Sequence, residues 1–554
     1  MNGQRPPRFT TRFTPADKQL ADRQWVEWRA TRRRLLQIGA FGGAGMALGL
    51  GAEGRLPVVA ATPLWQDEEP KSGGTITMSL ADQDVTTFDP PVPPDNMSIW
   101  TMLLFYEQLI RVAPDGLSLE PGLAESWEVG DDGKTYTFKV REAQFHDGTP
   151  FTAEDAAFCI DRAAKKEGTP WQFIISVVDS TEAPDPRTCV IHLKSVWAPF
   201  EADLAMFAAS VFPRAAYEEQ GDALFEHPIG TGPFQFVSRT PDVEVVLEKN
   251  PNYWQPGIPY LDGATFKVLQ DSNARVLQLQ GGELDIATLV PYNQLEIFRN
   301  DPAFIAYPET VARIDIASIN TTRPPFDDKK LRQAMNYAVN KESIIQNVLF
   351  GNGEMATSFL PKMPGRDPNL GGYPYDPEKA KALVAESAGK DGFEADYNVT
   401  AGDAVGTQVA QLVAADLAQI GGKINVVPID GNTLLERLFT TFDFDLMGSY
   451  YTTDIIDPDE LASFAVLGEG GSGAMGSQYN NPEVNALILQ AQSETDPEKR
   501  QELYNQIQAM HLDDAPFIFL YYPGGSAVSH AYIKNFRILP TGNYRLWEVW
   551  RDDI

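Results

Sequence analysis

The residues of this chain that could do chemistry do not form a familiar catalytic motif. Gly133-Lys134-Thr135 ends like a phosphate-binding loop, but Glu128 stands where that loop requires its first glycine. Neither a G-x-S-x-G nucleophile elbow nor an H-E-x-x-H zinc helix occurs, and the five histidines are scattered. The sequence favours no enzyme activity, no cofactor and no metal site, but missing motifs alone do not decide against an enzyme, because a catalytic triad can assemble from residues that are distant in the sequence.

The two cysteines, Cys159 and Cys189, have no C-x-x-C spacing, which excludes a structural zinc site and a disulfide scaffold. Two alternatives remain: a single bridge between them in an oxidising compartment, and two separate buried thiols. Because a bridge needs a specific geometry that a sequence does not give, we favour separate thiols.

Binding chemistry is offered by Tyr450, Tyr451 and Asp454. They close and follow an apolar segment, residues 444–451, that suits a buried strand. In open α/β sheets ligands bind beyond the carboxyl ends of strands, where the loops leave a crevice. Since side chains alternate along a strand, one tyrosine is expected to face the crevice and the other to pack inside.

The elements around this strand predict an α/β architecture. Residues 395–400 and 423–429 read as strands, with a helix over 407–420 between them that Gly421-Gly422 ends, which is a βαβ unit. A further helix over 433–439 precedes the strand at 444–451. Asp376-Pro377 and Asp496-Pro497 each predict a capped helix start.

A second helix signal follows Asp327. Its apolar stripe has the spacing of one buried helix face and consists of Leu331, Ala334, Met335, Ala338 and Val339. Farther forward, an acidic and Pro/Gly-rich stretch, 62–71, reads as a linker into a first strand, Thr75–Leu80.

Length and charge restrict the kind of protein. A chain of 554 residues is longer than one hydrophobic core usually organises, and 43% hydrophobic with 22% charged residues is ordinary globular usage. The formal net charge is −31, yet the first 61 residues carry ten Lys or Arg against four Asp or Glu. The acidic excess therefore lies in the body, which excludes nucleic acid as an expected partner.

The N-terminus, residues 1–61, reads as an export signal. Arg32, Arg33 and Arg34 precede a weakly apolar run from Ile38 to Leu50 that is too short to span a bilayer but suits a signal peptide. The paired arginines resemble a twin-arginine signal, and Ala60 and Ala61 are candidate cleavage points. Export to the periplasm or to the outer face of the cytoplasmic membrane is expected, with or without the signal as an anchor.

A series of short motifs extends over about residues 72–550. They are Gly73-Gly74-Thr75, Thr87-Phe88-Asp89-Pro90, Tyr106-Glu107-Gln108-Leu109-Ile110 on the helix after the first strand, Leu123-Ala124-Glu125-Ser126-Trp127, the run from Phe145 to Asp155, Ile229-Gly230-Thr231-Gly232-Pro233-Phe234, Asn250-Pro251-Asn252-Tyr253-Trp254, Gly282-Glu283-Leu284-Asp285-Ile286, the run from Asn320 to Phe326, and Tyr479-Asn480-Asn481-Pro482. In this order the motifs resemble those of the family 5 solute-binding proteins of ABC importers, which include dipeptide, oligopeptide and nickel binders.

The resemblance implies a bilobed periplasmic-binding-protein fold of the class with an extra inserted domain. Both lobes would contain mixed sheets, and hinge closure would enclose the solute. Lobe I would comprise 72–105, 226–314 and 521–554, domain II 106–225, and lobe III 315–520. The closed form would act as a monomer that docks on the membrane permease subunits of an ABC importer.

The resemblance also implies ligand-binding residues. Relatives that bind peptides hold the α-ammonium group with an aspartate shortly before an Asp/Glu-Pro pair, and Asp454-Ile455-Ile456-Asp457-Pro458 has that spacing. The alternative role for Asp454 is a solvated acid ahead of a helix capped by Asp457. Phe88 and Arg437 complete the candidate ligand-binding set, although Arg437 has an equal alternative as a surface partner of Glu436 or Asp443.

The sequence departs from its relatives where the peptide carboxylate would bind. Gly448 stands where some oligopeptide binders carry an arginine, and tyrosines replace the usual Gly-Trp before the loop. A peptide is the favoured solute. An oligosaccharide stacked on Tyr450 or Tyr451, a metal chelate, a ligand-sensing role and, last, a hydrolase are the alternatives.

Overall fold

The computed structural model describes residues 69–554, apart from 82, 83, 94, 168, 170, 469, 471 and 472. The export signal predicted over 1–61, including its paired arginines, lies outside the described residues. Residues 70–554 form one compact unit.

The first large sheet gathers strands from both ends of this unit. In spatial order its seven strands are Phe304–Tyr307, Ala527–His530, Ile286–Ala287, Thr75–Leu80, Gly263–Val268, Glu244–Lys249 and Phe234–Thr240. The strand Thr75–Leu80 has the predicted bounds and pairs in parallel with Gly263–Val268, whereas the outer pairs are antiparallel. This sheet is therefore mixed.

The second large sheet contains the predicted βαβ unit. Its six strands, in spatial order, are Gly353–Met355, Phe517–Pro523, Arg313–Ile319, Leu446–Thr452, Phe393–Thr400 and Gly422–Ile429. Phe393–Thr400 pairs in parallel with both Gly422–Ile429 and Leu446–Thr452. Separate apolar clusters cover the two faces, so this sheet is buried on both sides as α/β layering requires.

The remaining strands form three smaller sheets. A four-stranded antiparallel sheet has the order Ala124–Val129, Thr135–Val140, Thr188–Leu193 and Val178–Asp185. Two-stranded ribbons are formed by Ile110–Val112 with Leu119–Pro121 and by Ile533–Lys534 with Trp550–Arg551. The apolar core of the four-stranded sheet is continuous with that of the first large sheet.

Helices cover these sheets. The α-helices are Asn96–Met102, Ala153–Lys165, Gln172–Ile175, Phe200–Asp203, Arg214–Gln220, Ser272–Gly281, Tyr292–Arg299, Lys329–Ala338, Lys341–Asn347, Pro377–Ala385, Ala404–Ala418, Gly431–Glu436, Asp459–Ala465, Pro482–Ser493 and Pro497–Asp514. Phe207–Ala209, Gly221–Glu226 and Leu546–Glu548 are 3₁₀ turns, and Arg437–Thr441 is a π-helical turn.

The predicted helix starts are confirmed. Asp376 and Asp496 cap helices whose first turns contain Pro377 and Pro497. Four residues of the stripe predicted after Asp327 are buried on the helix Lys329–Ala338, which Asp328 caps, whereas Val339 is buried just after the helix ends, where the backbone is extended.

One placement was wrong. The segment Tyr106-Glu107-Gln108-Leu109-Ile110 does not lie on a helix, because the helix ends at Met102 and Ile110 begins a strand. The reason is that Glu107 is a buried acceptor: its carboxylate accepts hydrogen bonds from the Tyr253 hydroxyl, the Trp254 Nε1 and the Thr231 hydroxyl. An extended backbone here also pairs Glu107 with Val211.

The chain passes between the two large sheets twice. One passage, residues 308–312, joins Phe304–Tyr307 to Arg313–Ile319, and the other, residues 524–526, joins Phe517–Pro523 to Ala527–His530. The passages touch, since the Gly525 backbone N–H donates to the Pro308 carbonyl at 3.1 Å. The two sheets are thus linked by a narrow pair of adjacent segments.

Candidate functional site

Asp454 lies in a loop that a second acid organises. The loop follows the strand Leu446–Thr452 and precedes the helix Asp459–Ala465. One carboxylate oxygen of Glu460 accepts hydrogen bonds from the Thr453 hydroxyl at 2.6 Å, the Asp454 N–H at 2.9 Å and the Ile455 N–H at 3.0 Å. The backbone at Asp454 is therefore fixed from within the loop.

The Asp454 carboxyl group is buried without a positive partner. The residue is 7% exposed, and among the described residues its side chain has neither a hydrogen bond nor an ion pair. Burial, reinforced by the nearby charge of Glu460, raises its pKa well above the ordinary aspartate value. A cation brought to this carboxylate would relieve the cost of burying its charge.

A cavity beside Asp454 is lined by segments that are far apart in the chain. Its volume is about 20 Å³, room for about one or two waters in this conformation. Its polar lining comprises Gln108, Arg111, Asp454, Thr541 and Asn543. Because such a volume excludes a larger solute, the walls must separate for one to enter.

A wider recess adjoins the Asp454 loop. Leu119 of the ribbon, Ala202 of the helix Phe200–Asp203 and Ile456 of the Asp454 loop line it, and its volume is about 340 Å³. This recess offers space for groups that the small cavity cannot hold.

Four further acids lie in or beside the Asp454 loop. Asp457 accepts two hydrogen bonds from the Arg500 guanidinium, at 2.6 and 2.7 Å. Burial raises the pKa of Asp459 and of Glu460 to about 7. Burial and the charge of Asp459 raise the pKa of Asp203, which comes from the helix Phe200–Asp203. We call Asp203, Asp454, Asp457, Asp459 and Glu460 the acidic group.

The tyrosines take different environments, as alternation along the strand predicts. Tyr451 is 4% exposed and its hydroxyl donates to the Phe359 carbonyl, so it belongs to the interior of the second sheet's layer. Tyr450 is 42% exposed, with the Arg313 guanidinium 3.6 Å from its ring centre. Neither ring lines the cavity beside Asp454.

The remaining predicted site residues also lie away from this cavity. Phe88 is buried between the rings of Phe105 and Phe236. Arg437 donates to the Asn398 side chain at 2.8 Å, not to Glu436. The structure thus places none of the other four predicted ligand-binding residues at the cavity beside Asp454. Instead it places there Gln108, Arg111, Thr541 and Asn543, which sequence reasoning missed because no local pattern marks residues that meet only in the folded chain.

The sequence features that resemble catalytic or metal-binding motifs have structural roles in the fold. Gly133-Lys134-Thr135 lies at the turn before the strand Thr135–Val140, where Asp132 accepts the Lys134 and Thr135 N–H groups. Cys159 and Cys189 are separate buried thiols. Within the described part of the chain, no group of His, Cys, Asp and Glu is arranged to hold a metal ion.

Across those same residues, no helix is both long and apolar enough to cross a membrane.

Comparison with known proteins agrees with this architecture. Residues 118–473 match the family model described as bacterial extracellular solute-binding proteins, family 5 Middle. The chain is 31% identical over 485 residues to the glutathione-binding protein GsiB of Pectobacterium atrosepticum, which covers 85% of this chain and 91% of that protein. It is 32% identical over 472 residues to heme-binding protein A of Haemophilus influenzae, covering 79% and 85% of the two chains.

A solved structure has the same fold. The ABC transporter-associated periplasmic binding protein DppA from Helicobacter pylori, in complex with the peptide STSA, superposes with a TM-score of 0.77 at 25% identity. The match covers 87% of this chain and 99% of that one. With a family model that spans well over half of the sequence, the chain belongs to the bacterial extracellular solute-binding proteins of family 5.

Proposed function

We propose that this protein is the extracytoplasmic solute-binding component of an ABC importer, and that it captures a peptide by its free amino group. The observation that carries the choice of solute is the Asp454 carboxyl group. It is buried, lacks a cation among the described residues and lines a cavity between distant parts of the chain.

An ammonium group fits this position. A charge-assisted hydrogen bond in a closed, water-poor cavity is stronger than a neutral one. The Asp454 N–H and the loop around it are already held by Glu460, so little ordering remains to be done on binding. The larger recess beside Ile456 gives space for peptide side chains.

Capture requires motion between lobes. We assign lobe I to 72–105, 226–307 and 527–554, domain II to 106–225 and lobe III to 313–523, with the passages at 308–312 and 524–526 as the hinge. The lobe boundaries differ from the expected 314/315 and 520/521 because the strands Arg313–Ile319 and Phe517–Pro523 both belong to the second sheet. Asp454 then lies on lobe III, whereas Arg111 and Asn543 lie on domain II and lobe I. Opening at the hinge separates these walls, and closing seals the solute between them.

The relatives support a peptide-like solute. They are a glutathione-binding protein, a heme-binding protein and a periplasmic binding protein in complex with the peptide STSA. Glutathione and STSA are peptides, so we carry that class to this chain. Nucleic acid is not a partner in this proposal because of the acidic body, and the protein acts as a non-catalytic monomer outside the cytoplasm.

The test is a thermal-shift screen with di- to pentapeptides, xylo- and cello-oligosaccharides and a nickel–histidine chelate. We expect peptides to raise the melting temperature and Asp454→Asn to weaken the best of them by about 2–5 kcal/mol, because a buried ammonium loses its charged partner. Asp391→Asn, at an exposed position, is the control that should bind as the native protein does.

Two results would contradict this proposal. One is an oligosaccharide or the chelate, but no peptide, raising the melting temperature. The other is Asp454→Asn binding the peptide with native affinity, which would return Asp454 to a purely structural role.

A further inference from the structure

Arg111 lines the same cavity as Asp454 and comes from a distant part of the chain. It lies on the short ribbon of Ile110–Val112 and Leu119–Pro121, directly across from Glu120. The side chain is 16% exposed. A guanidinium at a mostly buried cavity wall is suited to a carboxylate, because its planar fork matches the two carboxylate oxygens.

The hydrogen bonds of Arg111 leave donors free. Its Nε donates to Glu120 at 2.8 Å, while its two terminal nitrogens make only long contacts, 3.4 Å to the Tyr253 hydroxyl and 3.5 Å to Gln255. A guanidinium has five N–H groups. Two of them therefore have no acceptor among the described residues.

Neither carboxylate near Arg111 is committed to it alone. Arg545 also contacts Glu120, at 3.3 Å, and pairs with Glu548, which Arg537 shares. The buried carboxylate of Glu107 acts on Arg111 electrostatically, but it accepts its hydrogen bonds from Tyr253, Trp254 and Thr231. Around Asp454, the acidic group holds five carboxyl groups and one arginine partner, Arg500.

We propose that Arg111 binds the carboxylate of a short zwitterionic solute whose ammonium group is held by Asp454. This inference rests on the proposed function of Asp454 and narrows its solute to the size of a dipeptide. An extended dipeptide spans about 7 Å, so its two charged ends can reach two side chains that line one cavity once the walls of that cavity have separated. The ends of an extended pentapeptide lie about 17 Å apart, too far for two side chains of one cavity of this size.

The experiment measures the affinity of the native protein for Ala-Phe, Gly-Leu and Ser-Lys, each as the free acid, as the C-terminal amide and as the N-acetyl form. We expect the free acid to bind at least about tenfold more tightly than the amide, because the amide lacks the charge that Arg111 recognises. Arg111→Gln should bring this acid-to-amide ratio close to one.

Glu120→Gln is the matched control. It removes the carboxylate that competes for Arg111 but leaves the guanidinium in place, so the acid-to-amide ratio should be retained or increased. If Arg111→Gln fails to fold, as a thermal unfolding scan would show, Arg111→Lys replaces it. Lysine retains the positive charge but lacks the planar guanidinium group, so the acid-to-amide affinity ratio of this variant should fall below that of the native protein.

The outcomes separate the two proposals. If the native protein binds acid and amide equally, or if an Arg111 variant keeps the native ratio, while N-acetylation still abolishes binding, the role of Arg111 is overturned and that of Asp454 stands. If N-acetylation has no effect, or if no dipeptide binds, both are overturned.

Discussion

Asp454 and Glu460 show how one acid can position another. Glu460 gives its hydrogen-bonding capacity to the loop backbone, which leaves Asp454 to face the cavity. Asp454 follows a strand in the structure, as the sequence predicts, because the end of a strand is a local feature. It could not predict Arg111, which lies more than three hundred residues earlier and reaches the cavity only through long-range packing.

The buried acids have a consequence for stability. Asp459 and Glu460 have a pKa of about 7 in the folded chain, well above the values expected when unfolded. The folded state therefore binds more protons than the unfolded state between these values. Stability from these groups is fully present below about pH 4 and is lost as the pH rises through 7.

We accordingly predict that Asp459→Asn gains stability relative to the native protein as the pH rises from 5 to 8, by a change on the order of 2 kcal/mol. Urea unfolding of both proteins at each pH measures this difference. Burial lowers the pKa values of His146 and His511, so these residues change the stability in the opposite direction as the pH rises. Because both proteins contain the two histidines, their contribution drops out of the difference between the two free energies of unfolding. A constant difference across the range would refute the assignment, and Asp391→Asn should show none.

At the scale of elements, the sequence predicted those helices and strands that depend on interactions between residues close together in the chain. The helices capped by Asp376 and Asp496 and the βαβ unit around Ala404–Ala418 were predicted because caps, glycines and apolar spacing are short-range. The segment containing Glu107 was misplaced because its extended form depends on Tyr253 and Trp254, about 145 residues away. A buried carboxylate with such partners overrides helical propensity.

Within the passages between the two large sheets, Gly525 is the residue whose substitution we expect to reduce stability most. A Cβ at this position would collide with the backbone carbonyl oxygens of Tyr307 and Glu309. Gly525→Ala should therefore destabilise the protein by about 1–3 kcal/mol, since two backbones must move apart. Chemical denaturation measures the loss.

Gly524→Ala is the matched comparison, because a Cβ there comes no closer than 3.2 Å to its nearest neighbour, Asn352. It should cost clearly less than Gly525→Ala. Equal costs for the two substitutions would show that the contact between the passages is not what requires glycine at Gly525.

For the whole molecule, family membership followed from phrases spread over most of the chain, and the family model and the fold confirm it. What the sequence left open is the solute, because ligand selectivity depends on the few side chains that meet at the cavity. Asp454 and Arg111 give the lining of that cavity one acidic and one basic side chain from distant parts of the chain. Closure over a solute is the event that would bring these parts of the chain together around it.

Small-angle X-ray scattering of the protein with and without a saturating dipeptide tests this account most directly. We predict that the radius of gyration falls when the dipeptide binds to the native protein, and that at the same dipeptide concentration it does not change in Asp454→Asn, because closure depends on the ammonium held by Asp454. Saturation of the native protein without any decrease, or an equal decrease in the variant, would contradict it.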